Sequence, residues 1–229
     1  KFGADLIVHS TTKYMSGNGT SVGGAVVDSG NFNWSETGKF KSLSEEEPGY
    51  HGLKFHDTFG PYAFIIYSIA VSLRDLGMTM APQNAFQTLL GLETLSLRMK
   101  KHVSNSIKIA NWLEKHPKIE KVTYAGLKSS QYFNTAKSIL PKGAGALFTI
   151  SLKDGYEACM KMINKLNLFS HVSNLGDTRS LIIHPASTVH RQLTEEQQKN
   201  AGLAPNVIRL SIGIEDPKDL INDLKHALE

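Results

Sequence analysis

The apolar positions of this chain fall into short continuous runs and helical stripes, separated by polar, glycine-rich stretches. Residues 4–9 form a short, largely apolar run around Leu6-Ile7-Val8, which fits an interior strand of a parallel sheet. A polar turn, Ser10-Thr11-Thr12-Lys13-Tyr14, follows it. A glycine-rich stretch over 16–24 then leads into Ala25-Val26-Val27, a second predicted strand. Residues 29–60 are rich in Gly, Ser, Glu and aromatics, including Tyr50, His51, Phe55, His56 and Phe59, and show no period. They read as a long irregular insertion. Residues 62–73 are apolar nearly all round and predict a buried helix. Past Gly77 and Pro82 a long helical pattern covers 83–115. In it Met99, Val103, Ile107, Ala110 and Leu113 recur at helical spacing and stop before Pro117.

From Lys118 the pattern becomes mixed. It predicts a strand at 119–124, a loop to about 142, a strand at 146–152 and a helix at 154–165. Strands near 167–172 and 180–183, a short helix at 194–200 and a strand at 207–212 come next. A closing helix places Leu220, Ile221, Leu224, Ala227 and Leu228 on one face. Strands alternating with helices and no internal repeat predict α/β architecture. The domain boundary is expected inside the long helix, near 91–98, dividing the chain into 1–92 and 93–229. An interior strand needs neighbours on both sides, and this chain enters one at once, so it reads as beginning inside a domain.

Composition narrows the function classes. With 229 residues, 41% of them hydrophobic, the chain can bury one large core or two modest ones. The net charge of +4 is mild, and the densest basic runs, 98–101 and 115–121, lie at helix ends or are broken by acids. They predict a solvated face, not a nucleic-acid track. A single cysteine, Cys159, excludes an intramolecular disulfide and fits a reducing, cytoplasmic setting. It lies on the apolar side of its helix, where a buried thiol is expected. No apolar run approaches the length of a membrane span.

Lys13 follows the first strand, with the hydroxyls of Ser10 and Thr12 before it and glycines after it. Hydroxyls can hydrogen-bond phosphate oxygens, and a lysine amine in a dry site can attack a carbonyl. Taken alone, a lysine beside a Ser/Thr pair reads as an ordinary surface residue before it reads as a functional one, and Ser10 and Thr12 as turn formers. The spacing Gly17-x-Gly19-x-x-x-Gly23 misses the dinucleotide fingerprint and precedes a strand where that motif requires a helix. Arg209 alternates with Ile208 and Leu210 in its strand, and unaided could simply face solvent. His184 and His190 have no Cys or carboxylate at ligand spacing, so no metal is expected, and His184 before Pro185 reads as structural.

Four ordered motifs change this reading. Gly3-Ala4-Asp5-Leu6-Ile7-Val8-His9-Ser10-Thr11-Thr12-Lys13-Tyr14 closely resembles the cofactor-lysine segment of the cystathionine synthase and lyase family. These are pyridoxal-phosphate (PLP) enzymes of methionine and cysteine metabolism. Residues 85–99 (AFQTLLGLETLSLRM) resemble the family's inter-domain helix. Asn174-Leu175-Gly176-Asp177 with residues 181–190 (LIIHPASTVH) resembles the loop beside its substrate. Residues 207–216 (VIRLSIGIED) resemble its carboxylate-binding strand.

The insertion at 29–60, Asn174 to Asp177 and the stretch 184–188 most resemble members that act on O-acetylhomoserine. Cystathionine synthases and lyases tend to carry Ser where Asn174 stands, with a shorter stretch after the cofactor lysine.

The resemblance implies an aspartate-aminotransferase-like PLP-dependent transferase fold. Residues 1–92 would be the tail of the large parallel-sheet domain and 93–229 the smaller C-terminal α/β domain, together the C-terminal half of the family's length. It implies PLP held by Lys13, with Ser10 and Thr12 on the phosphate. Arg209 would grip the substrate α-carboxylate through a bidentate pair, helped by Asn174. The implied reaction is γ-replacement on O-acetyl-L-homoserine by sulfide or a thiol, giving homocysteine or methionine. Cystathionine γ-synthase or γ-lyase chemistry, and a non-catalytic fragment or partner subunit, stand as alternatives. A homo-oligomer, a dimer of dimers when complete, is also implied. The family's ring-stacking aromatic, its carboxylate for the pyridine nitrogen and its glycine-led phosphate turn precede the cofactor lysine and have no counterpart here.

Overall fold

The computed structural model describes residues 2–229. The chain divides into two compact units, Lys1–Thr11 with Val22–Phe86, and Thr12–Ser21 with Gln87–Glu229. The sequence reading placed a break later in the long helix, at 91–98, and did not set the turn at 12–21 apart.

In the first unit, β1 (Leu6–Ser10) pairs antiparallel with β2 (Gly24–Asp28), from Leu6 opposite Asp28 to Ser10 opposite Gly24. Thr11 N–H extends the ladder by donating to the Gly23 carbonyl at 3.0 Å. The expected parallel pairing is not found among the described residues: there β1 pairs only with β2, antiparallel to it, and Val8 is 75% exposed. An apolar run reports a demand for burial; it does not name the neighbouring strand.

The stretch after β2 holds α1 (Lys41–Ser44), a 3-10 turn (Pro48–Tyr50) and α2 (Phe55–Phe59). Its aromatic residues form a small core of their own. Trp34 stacks on Phe64 at 5.1 Å and meets Phe40 edge-on at 5.0 Å, while Phe55 meets Tyr67 edge-on at 5.0 Å. Irregular backbone is thus tied down by aromatic area, with Trp34, Leu43, Phe55 and Ala63 buried. α3 (Ala63–Tyr67) runs on into a π-helical segment (Ser68–Asp75). Its predicted all-round burial is not found, because Ile69 and Leu73 are exposed.

α4 (Pro82–Leu113) begins in the first unit and runs on through the second. Its buried residues include Gly91, Arg98, His102, Asn105, Ser106, Ile109, Ala110 and Leu113. The predicted apolar stripe holds at Ala110 and Leu113, both fully buried, but Met99 and Val103 are only partly buried and Ile107 is exposed. From Gly91 to Ser106 the helix packs through polar anchors and a glycine, which hydrophobic periodicity does not register.

The second unit is built on a five-stranded sheet in the order β3-β4-β7-β6-β5. The strands are β3 (Ile119–Thr123), β4 (Leu147–Leu152), β5 (Ser170–His171), β6 (Leu181–Ile183) and β7 (Val207–Ser211). All pairings are antiparallel except β5 with β6. Helices α6 (Gly155–Lys165) and α8 (Pro217–Leu228) pack together and bury Cys159, Met162, Leu220 and Leu224 with Ile150, Ile208 and Leu210 of the sheet. Burial pushes the Cys159 thiol up to about 11. α5 (Phe133–Ile139) forms where only a loop was expected. α7 (Glu195–Asn200) opens on a capping box between Thr194 and Gln197. The α/β class is as expected.

Candidate active site

β7 is the central strand of the second unit, flanked by β4 and β6. Its alternation sends Ile208 and Leu210 into the core and leaves Arg209 and Ser211 on the other face. Above that face lies the loop Asn174 to Asp177. Gly176 N–H donates to Ser211 Oγ at 3.0 Å, and one Arg209 guanidinium nitrogen donates to the Asn174 carbonyl at 3.1 Å. The turn that carries Lys13 rests on the same loop. Gly176 has φ +75°, and a Cβ there would stand 2.8 Å from Tyr14 N. Only glycine permits both that conformation and that approach.

Lys13 Nζ donates to Asn174 Oδ1 at 2.6 Å. Asn174 therefore joins two cations, Lys13 through its side chain and Arg209 through its carbonyl. Both cations are partly buried, and burial lowers the Arg209 guanidinium from its ordinary value. Among the described residues neither forms an ion pair with a carboxylate. Asp177 is buried beside them but serves Arg179, whose guanidinium donates to it at 3.0 Å. Burial alone would raise the Asp177 carboxyl; the Arg179 contacts outweigh it and hold it below its ordinary value.

Lys13, Asn174 and Arg209 are thus brought together within the second unit. Thr12 lies on the same turn, partly buried, whereas Ser10 ends β1 in the first unit and is exposed. His184 is buried, with its ring nitrogens 2.8 Å from Ser187 Oγ and 2.8 Å from the Pro205 carbonyl, and does structural work.

Sequence reasoning missed the supports of the turn. Arg98 donates to the carbonyls of Tyr14 (2.8 Å), Met15 (3.3 Å) and Gly91 (2.7 Å). Gly91, inside a helix, lies so close to the turn that a Cβ would collide with the Met15 and Ser16 carbonyls. A glycine in a helix interior was the available signal, since it costs roughly 1 kcal/mol unless close packing requires it.

The Tyr14 ring meets His102 edge-on at 5.4 Å. His102 Nδ1–H donates to the Ile212 carbonyl at 2.6 Å, leaving Nε2 buried and, among the described residues, without a partner. Burial, the largest cause, lowers His102 from 6.5. The unfolded chain therefore takes up a proton below about pH 6.5 that the folded chain refuses. Stability present above that pH is lost as the pH falls toward the lowered folded value. His102→Asn should flatten the decline of Tm between about pH 7 and about pH 5, as thermal melts across that range would measure. An unchanged slope would mean that another group carries the decline.

The model of the Cys/Met metabolism PLP-dependent enzyme family matches residues 1–229. An O-acetyl-L-homoserine sulfhydrylase of Leptospira meyeri is 48% identical over 100% of this chain and 54% of its own length. A crystal structure of an O-acetylhomoserine (thiol)-lyase from Campylobacter jejuni, containing N'-pyridoxyl-lysine-5'-monophosphate, superposes with a TM-score of 0.94. It shares 44% identity over 99% of this chain and 54% of that one. Cystathionine gamma synthase from Xanthomonas oryzae pv. oryzae gives a TM-score of 0.78 at 34% identity, over 99% of this chain and 50% of that one. This chain belongs to the Cys/Met metabolism PLP-dependent enzyme family. It spans about half the length of the curated relatives it matches.

The residues present fit the family's cofactor. PLP offers an aldehyde to a primary amine, and Lys13 supplies one held at a hydrogen-bond acceptor. Half-buried cations without a counter-ion call for an anionic ligand, and Arg209 is such a cation.

Proposed function

We propose that the complete protein is a PLP-dependent sulfhydrylase that replaces the acetyl-bearing oxygen at Cγ of O-acetyl-L-homoserine with sulfide or a thiol, giving homocysteine or methionine. The Lys13–Asn174–Arg209 arrangement carries this reading, and the likeness to O-acetylhomoserine enzymes supports the choice of substrate. Bound PLP supplies covalent capture of the amino acid and an electron sink at Cα. Lys13 would hold the cofactor, and its amine would move protons at Cα and Cβ of the substrate as general base and acid. Arg209 takes the α-carboxylate in a bidentate pair, which fixes the amine end against Lys13. Asn174 assists at the same carboxylate and gives the Lys13 amine a fixed acceptor. Ser10 and Thr12 bind the phosphate through their hydroxyls.

In this reading residues 1–92 are the tail of the PLP-binding large domain and 93–229 the small C-terminal domain. The protein works as a homo-oligomer, a dimer of dimers. The lone buried Cys159 suits the cytoplasm.

The test is product analysis with the complete protein. O-acetylhomoserine with sulfide should yield homocysteine and acetate. Cystathionine formed preferentially from cysteine would move the reading to cystathionine γ-synthase. No turnover with either would leave a non-catalytic protein.

A further inference from the structure

We infer that Arg98 is a positioning residue: its guanidinium clamps the turn that carries Lys13 and so sets where the lysine amine stands. The inference rests on the proposed function, in which Arg98 otherwise has no part.

Residues 13–17 form a single helical turn, closed by Gly17 N–H donating to the Lys13 carbonyl at 2.9 Å. A lone turn leaves its last carbonyls without intrahelical donors. Those of Tyr14 and Met15 are taken by Arg98, at 2.8 and 3.3 Å. The same guanidinium reaches back to its own helix at the Gly91 carbonyl (2.7 Å) and Thr94 Oγ1 (3.1 Å). Each end of the fork is thus fixed, one on α4 and one on the turn.

This guanidinium is buried, and among the described residues it forms no ion pair with a carboxylate. Holding a charge out of water on carbonyl and hydroxyl oxygens, with no carboxylate, is an expensive way to gain stability, and an apolar residue would carry no charge to desolvate. What an apolar residue lacks is direction. A planar fork with several donors specifies the distance and orientation of two peptide planes at once.

Two glycines keep the fit close. A Cβ on Gly17 would collide with the Arg98 guanidinium, and one on Gly91 with the Met15 and Ser16 carbonyls. Lys13 sits one residue before the first clamped carbonyl, and its amine meets Asn174 at 2.6 Å. A shift of the turn moves that amine directly.

The experiment uses the complete, PLP-loaded protein and the variants Arg98→Met, Arg98→Lys and Gly91→Ala. Three properties are read per folded, loaded molecule: the kcat against KM split, the visible absorbance of the bound cofactor, and the fraction of cofactor fixed to Lys13 by borohydride, located by peptide mass. A displaced amine should lower kcat about 10- to 100-fold with KM little changed. The absorbance should shift and the reducible fraction fall. Arg98→Lys should not rescue, because an ammonium cannot hold two peptide planes. Gly91→Ala should reproduce the effect from the opposite side of the turn.

A role confined to stability would lower Tm while leaving kcat, absorbance and reducible fraction at wild-type values, and that result overturns the proposal. So does failure of every Arg98 variant to fold, which would make the residue a requirement of the fold. Lys13→Ala separates the two levels: cofactor still fixed by borohydride in that variant would sink the proposed function itself, whatever Arg98 does.

Discussion

Arg209→Lys in the complete protein should lower kcat/KM for the amino-acid substrate by on the order of a hundredfold or more, while the absorbance of bound cofactor stays as in the wild type. Losing one of two charged hydrogen bonds to a carboxylate costs about 2–5 kcal/mol where water is excluded. Arg209 is partly buried, its position in β7 is set by pairing with Thr149 on one side and Ile183 on the other, and one of its nitrogens is engaged by the Asn174 carbonyl. The guanidinium plane is therefore oriented before any ligand arrives. Lysine keeps the charge but presents a point donor on a flexible stem, so the orienting bond to Asn174 and the fork are lost together. The loss should appear mainly in KM. Wild-type kinetics in Arg209→Lys would show the arginine to be a structural strand residue.

The parts of this site that could be read from the sequence are those where chemistry and local pattern coincide. Lys13 stands in a polar turn directly after an apolar run, and Arg209 interrupts an apolar strand, so each is conspicuous within a few residues. Apart from α5, the strands and helices beyond 118 were legible for the same reason: their buried faces are apolar and their periods unbroken. What stayed hidden depends on residues far apart in the chain. The buried face of α4 is polar from Arg98 to Ser106 because its partners there include the carbonyls of Tyr14, Met15 and Ile212, and no periodicity in residues 83–115 reports an acceptor in another segment. The antiparallel pairing of β1 with β2 was not legible, because an apolar run does not specify the direction of the strand beside it. The aromatics of 29–60 were noticed as composition, but their mutual packing around Trp34 is a property of the fold.

Lys13→Ala should have the largest effect of any single change in this chain. It removes the primary amine that captures the cofactor and moves protons on the substrate, while the phosphate contacts assigned to Ser10 and Thr12 and the carboxylate site at Arg209 remain. The variant should therefore still bind PLP, loosely and reversibly, and lose it on dialysis. Borohydride should fix none to the protein. Turnover should fall by at least about 10²–10⁴-fold, the range that a positioned acid–base group contributes, and further to the extent that covalent capture is itself required. Fold stability should change little, since among the described residues the amine has one hydrogen bond, to Asn174 Oδ1, and no ion pair. That separates a chemical loss from a folding defect: near wild-type Tm with no reducible cofactor is the expected pair of results. A small primary amine such as methylamine, added to the variant, should restore part of the proton transfer, because the site keeps the acceptor that faced the lysine. Cofactor found covalently attached elsewhere in the variant, with turnover retained, would remove Lys13 from the centre of the mechanism and leave the Asn174 contact as a structural hydrogen bond.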